Sequence, residues 1–519
     1  MNIKNIGHSM KYEAECIAML FFPDEKIVTT EYPADEEEHE ELLVQQEQKE
    51  QKEQKAPVED CIETRLQNGL MKVTLSLDGK QTSLCRTILS EPHSPYEKAE
   101  FVMSDMIYTL LSQATGIHPA WGMVTGVRPV KLFHRRLDEG KTPQMVAREF
   151  EQHFYVTQEK IELALETARH EAPILREVTD DTFSLYISIP FCPSRCSYCS
   201  FVSHDITSKR AKDILPVYVD RLCEELEQIS QKVKGTGLRL TTVYFGGGTP
   251  TILSPEQLDQ ICCAVEQHFD LSQLKEYTVE AGRPDTIDEE KLRVLRRHNI
   301  SRISINPQTL DDEVLQKIGR RHTARQVIDC FEMARRMGFD NINMDLIAGL
   351  PGDSVEGFCK TVDKVIALQP ENVTVHTLSI KRSASYGESW EERRKALEQA
   401  QQVGQMVSYA QKQLMQSGWM PYYLYKQRNT LGNLENTGYC KPGCEGRYNI
   451  YIMDETQTIL AAGAGAVTKL CSNREGKLER IFNYKYPFEY VEQFDEVLKR
   501  KDRVVDFFEE NRPLPLRKD

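Results

Sequence analysis

The sequence lacks an excess of positive charge, and it lacks a hydrophobic run long enough to span a bilayer. Its 519 residues contain 65 Lys and Arg against 79 Asp and Glu, a formal net charge of -14. Without a surplus positive field to attract phosphates, general binding to nucleic acid or to an anionic membrane is not expected. The apolar run Cys16–Phe22 is too short for a transmembrane helix, and no secretory segment is visible, so we expect a cytoplasmic protein.

The shortage of positive charge is concentrated in one stretch of low complexity. Residues Asp35 to Asp60 contain eleven acids and three lysines, with almost nothing to bury. Such a composition predicts a solvated linker rather than a packed element. Since the rest of the chain is closer to neutral, the net charge does not argue against an anionic substrate.

Short apolar strands alternate with amphipathic helices from Thr182 onward. The strand candidates are Phe183–Ile189, Thr241–Phe245, Tyr277–Ala281, Arg302–Ile305, Ile342–Ile347 and Val373–Leu378. The alternation predicts an α/β fold whose parallel sheet forms an open, partial (β/α) barrel, with the chemistry at the carboxyl ends of the strands. The predicted regions are a strand-rich segment (1–34), the acidic linker (35–60), a mixed then helical region (61–180), the partial barrel (181–382) and a C-terminal α+β region (383–519).

Cysteine is abundant, and three of the 14 residues cluster after the first barrel strand. Cys192, Cys196 and Cys199 have C-x3-C-x2-C spacing, which suits three corners of a [4Fe–4S] cube and leaves the fourth iron open. A chance cluster is one alternative, and a zinc site completed by His204 is another. Zinc normally takes two matched pairs of ligands, and the position at a strand end favours the reactive cluster.

Polar residues follow the later strands of the predicted barrel. The glycines of GGGTP (Gly246–Pro250) permit close approach of a small ligand to the backbone after the second strand. Glu280 ends the third strand, where a carboxylate suits an ammonium or a ribose hydroxyl. Asp345 interrupts the apolar fifth strand and needs a partner there, because an unpaired buried carboxylate is costly.

Together these motifs resemble the radical S-adenosylmethionine (SAM) superfamily, whose cysteine loop follows barrel strand one. Tyr186-x-x-x-Pro190-Phe191-Cys192 with GGGTP is similar to the oxygen-independent coproporphyrinogen III oxidase family, in its HemZ-type branch. The resemblance covers about Leu185 to Leu378 well. It implies a partial (β/α)6 radical SAM barrel between an N-terminal α+β extension and a C-terminal α+β region.

The resemblance also implies a set of ligands for a [4Fe–4S] cluster and for one or two SAM molecules. The implied cluster ligands are Cys192, Cys196 and Cys199. The implied contacts to the first SAM are Tyr186, Gly247 and Glu280. The positions that match contacts to a second SAM are Tyr198, Gly248, Thr249, Gln308, Arg320, Asp345 and Ser379. The implied scheme needs no side chain as acid or base, so no catalytic residue is assigned.

The resemblance implies a radical SAM oxidoreductase that acts in porphyrin and heme biosynthesis. A 5′-deoxyadenosyl radical removes hydrogen from a propionate of coproporphyrinogen III, and loss of CO2 and one electron leaves a vinyl group. Two rounds give protoporphyrinogen IX. The implied partners are a porphyrinogen or haem and an electron donor such as flavodoxin or ferredoxin, without nucleic acid or membrane insertion.

Several residues depart from the family pattern and keep alternatives open. Ser188 replaces the histidine of the usual Y-x-H-x-P-F-C, and EAGRP replaces EANP, so another substrate remains an alternative. A haem-binding chaperone of the same family is the second alternative, although Tyr448 stands where the chaperones' HNxxYW has its histidine. Cys440 and Cys444 are interpreted as loop thiols rather than a second metal site. The basic run GVRPVKLFHRR is interpreted as a solvated helix end rather than a substrate contact.

Overall fold

The computed structural model describes residues 1–23, 25–33, 60–201, 203–234, 236–379, 390–427, 430–473 and 476–511. Apart from Asp60, the predicted acidic linker lies outside these residues. The contacts divide the chain into two compact units, one consisting mainly of Met1–Ala164 and the other containing Leu165–Lys381, Glu398–Tyr425 and Glu435–Asp519. Among the described helices, none is long and apolar enough to cross a membrane. The five predicted regions stay a prediction.

A five-stranded sheet forms the centre of the first unit. Its strands are β1 (Asn2–Ile6), β2 (Val28–Tyr32), β3 (Cys61–Gln67), β4 (Leu70–Leu77) and β5 (Lys80–Thr87), in the order β2-β1-β3-β4-β5. Asn68-Gly69 and Asp78-Gly79 join the last three strands, and all four residues have the positive φ that tight hairpin turns require. Alternate side chains of β4 are buried in a core shared with helices α1 (Lys11–Phe21) and α2 (Ala99–Thr115). The predicted N-terminal α+β extension is confirmed.

The second unit is built on an eleven-stranded sheet. Its parallel centre contains β6 (Thr182–Ile189), β9 (Arg239–Gly247), β10 (Glu276–Glu280), β11 (Arg302–Ser304), β12 (Ile342–Ala348) and β13 (Asn372–Thr377). The flanking strands are β14 (Met420–Lys426), β15 (Glu435–Cys440), β16 (Thr458–Ala462), β17 (Val467–Ser472) and β18 (Lys477–Phe482). A separate pair consists of β7 (Phe191–Cys192) and β8 (His204–Asp205).

The order of this sheet confirms the predicted α/β fold with an open, partial (β/α)6 barrel. The order is β14-β15-β13-β12-β11-β10-β9-β6-β16-β17-β18. The six central strands are all mutually parallel, and they coincide with the six strands expected from the sequence. Beyond them, β16 pairs with β6 and β15 pairs with β13. The array is therefore continued by strands of the C-terminal region.

Helices connect the parallel strands and begin at well-formed caps. Ser254 and Gln257 form a reciprocal capping box, and so do Thr323 and Gln326, which satisfies backbone donors at each helix start. The helices that follow α2 are α3 (Pro129–Asp138), α4 (Pro143–Phe154), α5 (Gln158–Leu175), α6 (Lys209–Val233), α7 (Pro255–His268), α8 (Glu289–Arg297), α9 (Asp312–Lys317), α10 (Ala324–Arg336), α11 (Val355–Leu368), α12 (Trp390–Gln416), α13 (Arg447–Asp454), α14 (Pro487–Glu492), α15 (Phe494–Arg500) and α16 (Asp502–Glu510).

Candidate active site

Strand register gives the parallel sheet one strongly polar face. Directly opposed residues of neighbouring parallel strands lie on the same face of a sheet. One row of such partners contains Tyr186, Tyr244, Thr278 and Arg302. The row two residues later contains Ser188, Gly246, Glu280, Ser304 and Asn343. This polar face leads to the carboxyl ends of the strands, where the predicted site residues lie.

The three clustered cysteines lie on one loop after β6. Ile206 N–H donates to the Cys192 carbonyl at 3.0 Å, which closes the loop where β7 pairs with β8. Cys199 N–H donates to the Cys196 carbonyl at 3.3 Å, so the turn between the last two cysteines is tight. The loop therefore presents three thiols within one short, closed segment of backbone.

Hydrogen-bond donors and a guanidinium surround these thiols. Thr249 Oγ1 donates to Cys192 Sγ at 3.4 Å, and Arg283 Nη1 lies 3.8 Å from Cys196 Sγ. Burial raises the pKa of the Cys192 thiol, while the Thr249 hydroxyl and the Arg283 charge act in the opposite direction. Because iron is bound by thiolates, these neighbours favour the form of the cysteines that binds a metal.

Arg283 joins the end of β10 to the cysteine loop. Its side chain is 3% exposed, and Nη1 donates to the Ser194 carbonyl at 3.3 Å and to Ser194 Oγ at 2.9 Å. Asp285 accepts two further bonds from the guanidinium, each at 3.0 Å. Our sequence analysis did not assign Arg283 a role. The available signal was the segment EAGRP, which contains this arginine where the usual family pattern is EANP.

The GGGTP segment lies directly against the strand that leads into the cysteine loop. Gly248 N–H donates to the Ile189 carbonyl at 2.8 Å, and Thr249 N–H donates to the Phe191 carbonyl at 2.9 Å. A Cβ on Gly248 would lie 2.6 Å from the Phe191 oxygen, and Gly247 has a φ of +104. Gly248 is thus required by the close approach of two backbones, and Gly247 by its positive φ. The same approach holds Thr249 beside Cys192.

Glu280 lies at the end of β10 in contact with a stack of tyrosines. Tyr244 OH donates to Glu280 Oε1 at 2.6 Å. The Tyr244 ring stacks on Tyr448 with a centroid distance of 4.4 Å, and Tyr448 stacks on Tyr186 at 6.0 Å. Burial raises the pKa of Glu280 to about 7, with Asp345 adding to the rise and the Tyr244 hydrogen bond opposing it. Protonation of Glu280 therefore changes near neutral pH.

Asp345 has the partners that its place in an apolar strand requires. Asn343 Nδ2 donates to Asp345 Oδ1 at 2.7 Å, and His376 Nε2 lies 3.8 Å from Oδ2. Burial acts to raise the pKa of Asp345, but interaction with His376 and Asn343 keeps it below its ordinary value. Gln308 lies alongside, because its N–H donates to the Asp345 carbonyl at 2.9 Å. The sequence analysis did not identify His376, since nothing in VTVHTL distinguishes it from a strand residue on a solvated face.

Arg320 connects the cysteine loop to the end of the fourth barrel strand. Its Nη2 donates to Tyr198 OH at 3.2 Å, and Nη1 donates to the Asn306 carbonyl at 2.5 Å. The Tyr198 ring packs on an apolar cluster that includes Ile318 and Ile347. The remaining predicted residue, Ser379, is half-buried two residues after β13. Tyr198 and Arg320, two of the positions implied for a second SAM, are therefore in contact, while their role stays a prediction.

Four polar atoms on three side chains of this region are buried without a hydrogen-bond partner among the described residues. They are Gln308 Oε1, Arg320 Nε, and both Nε and Nη1 of Arg302. Arg302 is 1% exposed. Among the described residues, its guanidinium makes one hydrogen bond, a long contact from Nη2 to Tyr422 OH at 3.5 Å. Unsatisfied buried donors and acceptors are costly. A polar ligand bound at the strand ends would have such groups available to it.

Comparison with known proteins shows the family to which this chain belongs. The sequence model of the radical SAM superfamily matches residues 186–365. The oxygen-independent coproporphyrinogen-III oxidase-like protein HemZ of Bacillus subtilis (strain 168) is 39% identical over 415 residues, which cover 79% of this chain and 82% of HemZ. The chain belongs to the HemZ-type branch of the radical SAM coproporphyrinogen oxidase family.

Other relatives of this radical SAM chain have different names. The heme chaperone HemW of Lactococcus lactis is 31% identical over 336 residues, covering 64% of this chain and 81% of HemW. Coproporphyrinogen III oxidase, anaerobic 1, of Cereibacter sphaeroides is 34% identical over 194 residues, covering 37% of this chain and 41% of that protein. The solved structure of coproporphyrinogen III oxidase (HemN) from Escherichia coli covers 63% of this chain and 72% of its own, with 22% identity and a TM-score of 0.47.

Membership of the superfamily brings its cofactors, a [4Fe–4S] cluster and SAM. The described residues fit this pair. The cysteine loop supplies three thiols with adjacent donors, and the buried unpartnered atoms nearby suit a ligand with ammonium, carboxylate and hydroxyl groups. In a [4Fe–4S] cluster each cysteine binds a different iron. The three thiols of the loop therefore need not lie as close together as the ligands of a single metal ion.

Three further groups that the sequence pattern singles out or that share a local cluster have neighbours of their own. The interpretation of Cys440 as a loop thiol is wrong, because the residue is buried at the end of β15, where burial raises the pKa of its thiol. Among described residues, one group of three donors lies mutually within 4.8 Å, namely Asp259, Cys263 and His298. Its carboxylate already accepts hydrogen bonds from His298 and Arg297. The interpretation of the basic run as solvated is wrong for Arg136, whose side chain is largely buried and ion-paired with Glu149 at 2.6 Å.

Proposed function

We propose that this chain is an oxidoreductase that converts two propionates of coproporphyrinogen III into vinyl groups, giving protoporphyrinogen IX. Each conversion loses CO2, one hydrogen atom to the 5′-deoxyadenosyl radical and one electron to an electron acceptor. The observation that carries the proposal is the junction of the cysteine loop with GGGTP, where Thr249 meets Cys192 at the mouth of the polar face. The choice of substrate is supported by HemZ, a relative that is named coproporphyrinogen-III oxidase-like and that this chain matches over 82% of its length.

In this proposal Cys192, Cys196 and Cys199 hold the cluster, while Tyr186, Gly247 and Glu280 hold the SAM bound to it. The two cofactors, when bound, supply a carbon-centred radical able to remove hydrogen from an unactivated C–H bond. The protein orients the substrate and excludes water. Glu280 suits the ammonium or a ribose hydroxyl once it is ionised, and Tyr244 holds that carboxylate in place.

A second SAM site is proposed around the fourth and fifth strands. Tyr198 and Arg320 contact each other there, and the Gln308 main-chain N–H donates a hydrogen bond to the Asp345 carbonyl. Within the part of the chain that the structure describes, Gln308 Oε1 and Arg320 Nε have no hydrogen-bond partner, so a second ligand would engage them. The further positions proposed for this site are Gly248, Thr249 and Ser379.

A haem-binding chaperone is the second candidate, favoured by the HemW relatives. Against it, Tyr448 stands where the chaperone motif has a histidine, and its ring is occupied in the stack on Tyr244. Burial raises the pKa of the Tyr448 phenol well above its ordinary value, which opposes formation of a phenolate able to bind iron. These observations favour the enzyme.

The deciding experiment is anaerobic incubation of the iron-loaded chain with SAM, a chemical reductant, a one-electron acceptor and coproporphyrinogen III. We expect release of CO2 and formation of protoporphyrinogen IX, both lost in Cys196→Ser and both retained in Cys85→Ser, which changes an exposed thiol of the other unit. Cleavage of SAM without porphyrinogen turnover would show a radical SAM enzyme with another substrate. Stable stoichiometric haem binding without SAM cleavage would favour the chaperone.

A further inference from the structure

A cluster of metal-binding side chains lies on α7 and α8, the two helices that follow strands β9 and β10. One possible ligand atom from each of Asp259, Cys263 and His298 lies within 4.8 Å of the other two. In α7, Asp259, Cys263 and Glu266 are spaced by four and three residues, so they share one face of the helix. His298 caps the carboxyl end of α8. Two helices therefore supply sulfur, nitrogen and oxygen donors to one place.

The ring of His298 lies between two carboxylates of α7 and is 5% exposed. Nδ1 lies 2.8 Å from Glu266 Oε1, and Nε2 lies 2.7 Å from Asp259 Oδ1. A neutral imidazole has one N–H, so it donates to only one of these carboxylates at a time. Metal-binding histidines typically donate from one ring nitrogen to a carboxylate, which orients the other nitrogen toward the metal. Glu266 is placed for this role and leaves Nε2 facing Asp259.

The charges around Cys263 favour a cation. Partial burial raises the pKa of this exposed thiol, and the negative charges of Asp259 and Glu266 raise it further, while Arg297 acts in the opposite direction. The carboxyl end of α8 adds partial negative charge beside His298. The same field attracts a divalent cation, and a cation bound there reverses the effect and favours the thiolate.

Asp259 keeps one oxygen available for a metal. Within the described part of the chain, the hydrogen bonds that this carboxylate accepts from His298 and Arg297 both end on Oδ1. Oδ2 is therefore open to another ligand. The Arg297 side chain is 60% exposed, so it can move into solvent without leaving a buried charge unpaired.

We propose that Asp259, Cys263 and His298 form a zinc site, with water as the fourth ligand and Glu266 holding the histidine in position. Thiolate and imidazole ligands suit zinc, whereas magnesium and calcium take oxygen ligands. Binding displaces the thiol proton of Cys263 into solvent, and nothing is oxidised or reduced. The ion joins α7 to α8. This site is independent of the proposed function, because it uses none of the residues assigned to the cluster or to SAM.

The test measures zinc binding by the iron-loaded chain under anaerobic conditions, in which the cluster occupies the thiols of the cysteine loop. After incubation with zinc chloride and gel filtration, elemental analysis should find about one zinc per chain. Isothermal titration calorimetry should show an affinity at least about tenfold lower for Cys263→Ser and for His298→Gln, and about tenfold lower for Glu266→Gln. The matched control is Cys85→Ser, which changes an exposed thiol of the other unit and should bind zinc like the wild type.

X-ray absorption at the zinc edge identifies the ligands without interference from iron. We expect one sulfur at about 2.3 Å and nitrogen or oxygen ligands at about 2.0–2.2 Å. Three sulfur ligands would assign the ion to the cysteine loop and overturn the proposal. Absence of zinc from the wild type, or equal affinity in the wild type and Cys263→Ser, would also overturn it.

The variants themselves need a check of folding, because His298 is buried. Circular dichroism and thermal unfolding without zinc supply it, and Cys263→Ser answers the question by itself if His298→Gln is unstable, since Cys263 is exposed. Zinc should raise the unfolding temperature of the wild type and leave that of Cys263→Ser unchanged, because only a folded site binds the ion. An equal rise in both would count against the site.

Discussion

Arg283 Nη1 lies 3.8 Å from Cys196 Sγ, with the guanidinium almost fully buried between Ser194 and Asp285. A fixed positive charge this close to a proposed cluster ligand acts on two properties. It favours the thiolate, and it stabilises the added negative charge of a reduced cluster. Arg283 is therefore expected to influence both iron retention and reduction potential.

The first prediction concerns replacement of this arginine. Arg283→Gln should lower the iron content per chain after anaerobic reconstitution and shift the reduction potential to a more negative value, because a cation that favours the reduced state has been removed. Iron analysis and a redox titration followed by electron paramagnetic resonance measure the two effects. Arg293→Gln, an exposed position on the neighbouring α8, should change neither. A normal potential in the Arg283 variant would show that the charge is not felt by the cluster.

The second prediction concerns the protonation of Glu280. Burial raises its pKa to about 7, so ionised Glu280 becomes abundant only as the pH rises through that value. If Glu280 binds the ammonium or ribose of SAM, affinity should increase from pH 6 to pH 8. Tyr244→Phe removes a hydrogen bond that lowers this pKa, so the rise should move to higher pH. Isothermal titration calorimetry measures the profile, and Glu280→Gln should make it flat. A profile unchanged in both variants would assign the pH dependence to another group.

The third prediction concerns the contact between GGGTP and the strand that enters the cysteine loop. Gly248→Ala places a methyl group 2.6 Å from the Phe191 oxygen, and relief of that overlap must displace one of the two backbones. We expect destabilisation of about 1–3 kcal/mol, as for other overpacked sites, together with reduced iron retention. Denaturant unfolding under anaerobic conditions measures the first effect. Gly282→Ala, where no atom lies within 4 Å of the added Cβ, should be far milder.

The sequence was most informative about local features. The six central strands followed from runs of apolar residues, and Cys192, Cys196 and Cys199 share one loop because they are adjacent in the chain. Contacts between residues that are distant in the chain could not be predicted in this way. Arg283 reaches Ser194 across 89 positions, and Tyr448 stacks on a ring from β9. A single sequence carries no signal for such pairs, because register and helix placement bring them together.

His376 illustrates the same limit for Asp345. The need for a partner was predictable from one carboxylate in an apolar strand, but the identity of the partner depended on the pairing of β12 with β13. Register places Asp345 opposite Thr374, and His376 two residues further along the same face. The requirement was thus physical and local, while its solution was tertiary.

The last prediction concerns the departure at Ser188. Its hydroxyl donates to the Ala464 carbonyl at 2.8 Å, and a Cβ on Gly463 would lie 2.6 Å from the Ser188 carbonyl oxygen and 3.2 Å from the Ser188 Cβ. The turn Gly463–Ala466 therefore closes on a small residue, and we expect it to leave no room for the histidine of the usual family pattern. We expect Ser188→His to destabilise the chain by about 1–3 kcal/mol, the usual cost of overpacking a buried site. Ser188→Ala keeps the volume and should cost about 1 kcal/mol for the lost hydrogen bond. Thermal unfolding compares the variants, and a fully stable Ser188→His would show that the turn can open to admit the ring.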